Sequence, residues 1–387
     1  MTLINRKWLD AILIWSCSLV GFYNVMLVPP LIMDFMSIFG INYSYASLAM
    51  GSYGLMYTIG GVISGYLSTK IGARKSVFLG ILFIAIAHLT ISVSSTYNVI
   101  ILLRGLVGIG TAMIWTASIL LLKSYFDNKE IAVAYSGLSS FLSVGAMLSV
   151  FSASRIVIIY GINYIFFISG ISALVISVLF IICVQKIKEK IEKDIELKNK
   201  KNSWFGIILI GIMNFTLLFQ VYALITWLPA YLEEAVLITK ENIGYLMSIF
   251  VFVTIPAAII GGQIIKKIGE ANKIVLLAII ISFSSILFVM PISDIYYIII
   301  LMIITSWGAN MVLAQIYTLI NKVTNAKFFS KATGIVASMG FSAAFVASYL
   351  NGYLLDTYHS YNVIFYTICI ICIIGLFANI IFTKRFM

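Results

Sequence analysis

The sequence predicts an all-α membrane protein of twelve transmembrane helices, arranged as two pseudo-symmetric six-helix bundles. Three observations predict it. Of 387 residues, 62% are hydrophobic and only 10% charged, against about 25% charged in an average soluble domain, and the mean hydropathy is +1.08. The apolar residues form long unbroken stretches, not the alternation of barrel strands. Short motifs recur between the two halves at a nearly constant offset. Such a chain cannot cover a water-facing surface, which excludes a soluble enzyme, a disordered chain and a disulfide scaffold. Its formal charge of +11 is therefore read by position and not as affinity for nucleic acid.

Six apolar stretches of spanning length lie at about 11–36, 45–69, 75–95, 98–122, 131–158 and 163–185. Six more lie at about 204–232, 242–265, 273–292, 295–321, 330–355 and 361–383. Hydrocarbon offers no hydrogen-bond partners, so each is expected to be a helix. The first follows Arg6 and Lys7 but is too long for a signal peptide and lacks a small-residue cleavage site, so it is expected to be retained. With the N-terminus inside, 22 of the 25 basic residues fall on the cytoplasmic side. Arg155 and Lys240 fall outside, and Arg104 lies within a span. That bias predicts a multi-pass protein of the plasma membrane with both termini cytoplasmic. Cys17, Cys183, Cys369 and Cys372 all fall in spans, and Cys369-x-x-Cys372 is expected to pack rather than react.

One long polar segment, 186–203, is rich in Lys and Glu and reads as a cytoplasmic linker between bundles at 1–185 and 204–387. Tyr23-x6-Pro30 returns as Tyr222-x6-Pro229, and Gly65-x6-Gly72 as Gly262-x6-Gly269. Gly137 matches Gly334, and Tyr160-x6-Phe167 matches Tyr358-x6-Phe365. All four pairs sit within two residues of one offset, which points to a duplicated six-helix unit. Two parallel six-helix repeats about an axis along the membrane normal form an architecture of alternating access.

The segment Gly65-Tyr-Leu-Ser-Thr-Lys70-Ile-Gly72-Ala-Arg74-Lys75 joins the second and third spans. Gly65 is expected to allow close helix approach and Gly72 a turn with positive φ. Lys70, Arg74 and Lys75 can reach carbonyls at a helix C-terminus. The segment resembles the helix 2–3 signature of the major facilitator superfamily, with Thr69 where that family has an acid. Arg104-Gly-Leu-Val-Gly108-Ile-Gly110 is similar to the family's helix 4 signature, and Gly161-Ile-Asn-Tyr-Ile-Phe-Phe167 to its helix 6 entry. Helix 5 lacks the Gly-Pro element of the drug/proton antiporters, having only Gly137 to Gly145. The resemblance implies a secondary transporter, with a symporter favoured.

The resemblance also implies that helices 1, 4, 7 and 10 line the central path. The substrate candidates are then Tyr23, Asn24, Arg104, Trp115, Gln220, Tyr222, Asn310 and Gln315, with Thr111, Asn214, Trp227 and Trp307 nearby. Arg104 has two readings, a brace on backbone carbonyls or a contact to substrate or a coupling carboxylate. Asp34 also has two, a solvated outer rim position or a proton-exchanging pair with Arg104. It reads as the one acid within a span. His88 lies outside the expected path and His359 in an outer loop. One in-span cation favours a small anion or polar neutral solute. The partners expected are that solute, a proton or other coupling ion and the bilayer, with no nucleic acid, no cofactor, no metal and a monomeric state. The competing readings are efflux of drug-like or metabolite compounds and a transporter-like sensor. The sequence holds no clustered His, Asp or Glu at catalytic spacing and no Walker glycine loop, so no enzyme is expected.

Overall fold

The computed structural model describes residues 3–127, 130–185, 202–268, 271–290, 294–312 and 315–387. Among these there is no strand. The chain begins with α1 (Leu3–Val25), a 3-10 turn at Pro29–Leu31, and α2 (Ile32–Phe39). It continues through α3 (Tyr43–Ile71), α4 (Ala73–Ile91), α5 (Tyr97–Tyr125), α6 (Ile131–Tyr160) and α7 (Ile162–Cys183). After the linker come α8 (Trp204–Glu234), α9 (Lys240–Phe252), α10 (Thr254–Ile268), α11 (Ala271–Ser282), and a 3-10 stretch at Phe283–Val289. The series closes with α12 (Ile295–Asn310), a 3-10 turn at Gln315–Leu319, α13 (Ile320–Val323), α14 (Ala326–Tyr358) and α15 (Asn362–Phe386). Among the described residues, eight helical stretches are long and apolar enough to cross a membrane. The linker residues 186–201 and the Gln315 side chain lie outside the described residues.

Prolines set the breaks that an apolar run conceals. The first stretch is expected as one helix, yet it divides into α1 and α2 around Pro29 and Pro30. Neither proline has an N–H, so the carbonyls of Val25 and Met26 lose their donors and the helix stops. In the repeat, Pro229 stands alone and α8 runs through it. Pro256 acts where α9 ends at Phe252, four residues upstream, and α10 takes over.

The chain forms two compact units. The first holds Met1–Gly40, Ser52–Glu192 and Lys240–Ser248; the second holds Ile41–Gly51, Lys193–Thr239 and Ile249–Met387. In the first, α4 packs on α5 and α7, and α1 on α6. Gly108 and Gly110 make the α5 contacts close. A Cβ on Gly108 would come within 2.3 Å of the Tyr53 carbonyl on α3, and one on Gly110 within 2.5 Å of the Gly80 carbonyl on α4. In the second unit α8 packs on α14 and α15, over a core that includes Trp227, Phe219, Phe288 and Phe365. Outer faces are apolar too, with Ile182, Ile370 and Phe377 exposed. Helices apolar on every side belong in lipid.

Candidate functional site

The geometry of the first unit centres on the broken end of α1. Arg104, on α5, is 0% exposed. Its Nη1 donates to the Asn24 carbonyl at 2.8 Å and its Nη2 to the Val25 carbonyl at 2.9 Å. Val25 is the residue whose carbonyl Pro29 deprives of a donor, so the guanidinium caps a helix C-terminus that the sequence itself creates. The Tyr53 ring lies 5.6 Å from the guanidinium carbon. Asn24 sits beside it, also 0% exposed, giving its amide hydrogen to the Val20 carbonyl at 2.7 Å. Its Oδ1 has no hydrogen-bond partner. The half-buried Tyr23 shares a 2.8 Å hydroxyl contact with Ser152 of α6, and Trp115 is half-buried on α5. Of the expected residues, Arg104 and Asn24 are thus brought together.

Asp34 is partnered by Lys240 and not by Arg104. Lys240 donates to it, both side chains being partly exposed. In the second unit Gln220 is 1% exposed and fully used. Its Nε2 donates to the Thr305 carbonyl at 2.8 Å, and its Oε1 accepts from Ser282 at 2.6 Å. Asn214 donates to the Val336 carbonyl at 3.0 Å, and Asn310 to the Ser306 carbonyl of its own helix at 2.8 Å. Tyr222 is buried; Trp227 donates to the Ser348 carbonyl at 3.1 Å, and the indole nitrogen of Trp307 is buried without a partner. A cleft of about 190 Å³ in the first unit is lined by Phe35, Phe39, Ser94, Ser95 and Phe166 among others, and an apolar recess of about 220 Å³ in the second by Phe215, Met339 and Ile371 among others. Neither is lined by an expected substrate residue. Among the described residues no three His, Cys, Asp or Glu side chains gather as a metal site.

The family model of the Major Facilitator Superfamily matches residues 14–235 and 210–385. The chain belongs to the major facilitator superfamily. Two crystal structures of a bacterial homolog to the human lysosomal transporter Spinster are similar to it in fold. The inward-facing, unoccupied form has a TM-score of 0.80 at 12% identity, covering 98% of each chain. The inward-facing, occupied form has a TM-score of 0.79 at 12% identity, covering 98% of this chain and 97% of that one. Among curated proteins, the MFS-type transporter ppzB of Metarhizium majus (strain ARSEF 297) is 25% identical over 103 residues. That match takes in 27% of this chain and 23% of the relative's length.

Membership in the superfamily makes the helix 2–3 motif worth placing residue by residue. Gly72 turns the chain between α3 and α4 with φ +88°, where only glycine is unstrained. A Cβ on Gly65, by contrast, would meet nothing within 4 Å among the described residues. Lys70 lies over the Tyr66 ring at 4.6 Å, and Lys75 is exposed. Arg74 donates to the Ile181 carbonyl in the last turn of α7, the kind of target the motif's cations were expected to reach. Two further buried polar residues stand out in the first unit, His88, read in the sequence as off the central path, and Asp10, which the sequence reading passed over. His88 is 0% exposed, with Nδ1 2.8 Å from the Ser169 hydroxyl and its ring 5.1 Å from Phe166. Asp10, at 1% exposed, lies inside α1 because that helix begins at Leu3, so Asp34 is not the only acid in a span. The i to i+4 spacing of Arg6 and Asp10 was the available signal.

Proposed function

We propose that this superfamily member is a secondary active transporter that moves a small solute, with an organic or inorganic anion favoured, across the plasma membrane by alternating access coupled to a proton or another ion. Membership supports membrane solute transport in general. The observation that carries the narrower reading is the capped break in α1. An interrupted helix offers backbone ends and a cation at membrane depth, the usual furniture of a solute site in such folds. Here a fully buried guanidinium stands on that break, beside the unpartnered Asn24 Oδ1. Its positive charge favours an anionic or polar neutral solute and disfavours a cation. The matching topology is twelve spans in two six-helix bundles, which fits the sequence repeat.

A stabilisation screen of organic and inorganic anions on the purified protein tests this. Flux in proteoliposomes with and without a pH gradient then follows. The expected result is an anion that raises the unfolding temperature and is accumulated. Arg104→Ala should weaken its apparent affinity about tenfold or more, a loss of about 1.4 kcal/mol or more. Arg104→Lys keeps the charge while giving up part of the cap, so it separates recognition from folding. Unchanged affinity and uptake in Arg104→Ala would exclude the anion reading.

A further inference from the structure

The inner end of the first unit holds a buried carboxylate that the α1 break does not use. Asp10 is 1% exposed; no side chain bonds Oδ1 or Oδ2 within hydrogen-bond geometry, and the backbone N–H of Gln185, just past α7, is the one group directed at the carboxylate. The closest ion pair is to Arg6 one turn earlier, whose Nε lies 3.6 Å from Oδ1, beyond hydrogen-bond distance. The cations around it are turned elsewhere. Arg6 donates through Nη2 to the Cys183 carbonyl, and Arg74 of α4 through Nη2 to the Ile181 carbonyl. The Nε of both arginines is buried without a partner. From α5, Tyr125 donates its hydroxyl to the Gln185 carbonyl at 2.7 Å. Lys7, the other basic residue at this end of α1, is held by Glu130 beside the start of α6 at 2.6 Å.

We propose that Asp10 is a proton-binding site, and that Asp10 and the last carbonyls of α7 compete for the guanidinium groups of Arg6 and Arg74. An ionised carboxylate buried with one backbone N–H facing it and no side-chain hydrogen bond is costly, whereas its neutral acid is far less so. The final carbonyls of a helix are orphans that attract cations. Two arrangements follow. With the proton on Asp10, both arginines stay on the α7 terminus, as the structure has them. With the proton released to inner water, Asp10 becomes a full anion, and Arg6 needs only to close its 3.6 Å gap and turn from Cys183 to bond it. The bookkeeping is one proton taken up by one carboxylate and returned, with no other bond made or broken. Arg6, whose side chain is 37% exposed, gives the site its contact with water. The consequence is local: the protonation state of Asp10 sets how firmly the end of α7 is capped. Only the use made of this proton rests on the transporter reading; the site itself does not.

Infrared titration of the full chain in liposomes, from about pH 8 to about pH 4, measures the site directly. The expected result is a protonated-carboxyl stretch that grows on acidification, disappears in Asp10→Asn and shifts position in Asp10→Glu. Hydrogen exchange across residues 178–185, corrected for intrinsic rates, should show protection that rises with acidification in the wild type and is pH-independent in Asp10→Asn. If Asp10→Asn does not fold, the band shift in Asp10→Glu decides. A carboxyl band unaltered by both variants would overturn the proposal. A titrating Asp10 band in a protein whose flux ignores a pH gradient would sink proton coupling and leave the site standing.

Discussion

At the scale of single residues, a buried charge is stable only where the backbone has been prepared for it. Arg104 sits at zero exposure because Pro29 leaves the Val25 carbonyl without a donor and the break leaves Asn24 in the same position. Arg104→Ala therefore orphans two buried carbonyls at about 1–3 kcal/mol each. The expected outcome is a clear drop in the unfolding temperature in detergent, with Arg104→Lys falling between it and the wild type. Equal stability of Ala and wild type would mean that the cap contributes nothing. A second residue pair gives a pH signature. Tyr43 and Tyr361 both donate to Glu234 at 2.6 Å. Burial first, and then the bond to the Glu234 carboxylate, pushes the Tyr43 hydroxyl up to about 12. The folded pKa lies above the unfolded value of about 10, so this stabilisation is whole below about pH 10 and is lost as pH rises towards about 12. Thermal unfolding should fall less steeply in that alkaline window in Tyr43→Phe than in the wild type. Parallel curves would refute the linkage.

Between residue and fold lies the element, and here the sequence was legible in one respect and opaque in another. The described residues of the apolar stretches are mainly helical, and eight helical stretches among them are long and apolar enough to cross a membrane, because a long run without charges can satisfy its backbone in no other way in lipid. The interruptions were less visible, since hydropathy windows average over the prolines at 29, 30 and 256. Asp10 was missed for a related reason: the apolar run begins after it, while the helix begins at Leu3. The helix 4 glycines could be read as a motif, but their purpose needed the neighbours, Tyr53 against Gly108 and Gly80 against Gly110. The start of α3 was equally hidden. Asp356, far away on α14, accepts from the Tyr43 and Ser44 amides at 2.9 Å each. A carboxylate on the first free N–H groups of a helix is a cap, with about 1 kcal/mol as a usual contribution. In Asp356→Ala, the amides of Tyr43 and Ser44 should exchange with deuterium several-fold faster while the middle of α3 is unchanged. No change at those two amides would remove the cap from the account.

For the whole molecule, the sequence repeat and the proposed charge distribution are read together. The stretches assigned to the opposite unit from their neighbours, Ile41–Gly51 and Lys240–Ser248, correspond to each other under the repeat offset. Both begin helices expected to start at the outer surface. The two basic residues assigned outside, Arg155 and Lys240, are each neutralised within the first unit. Arg155 meets Glu241 at 3.1 Å and stacks 4.4 Å from the Tyr245 ring, and Lys240 meets Asp34. In the proposed topology the 22 remaining loop and terminal cations lie on the other side. Since the Lys/Arg bias sets orientation, reporters should read it directly. A fluorescent protein fused after Met387, or inserted in the 186–201 linker, is expected to fluoresce. Alkaline phosphatase at the same positions should be inactive, and phosphatase placed between α2 and α3 should be active. The reverse pattern would invert the proposed topology. It would also move Asp10 to the outer face, so the topology test decides which compartment supplies the proton in the Asp10 switch.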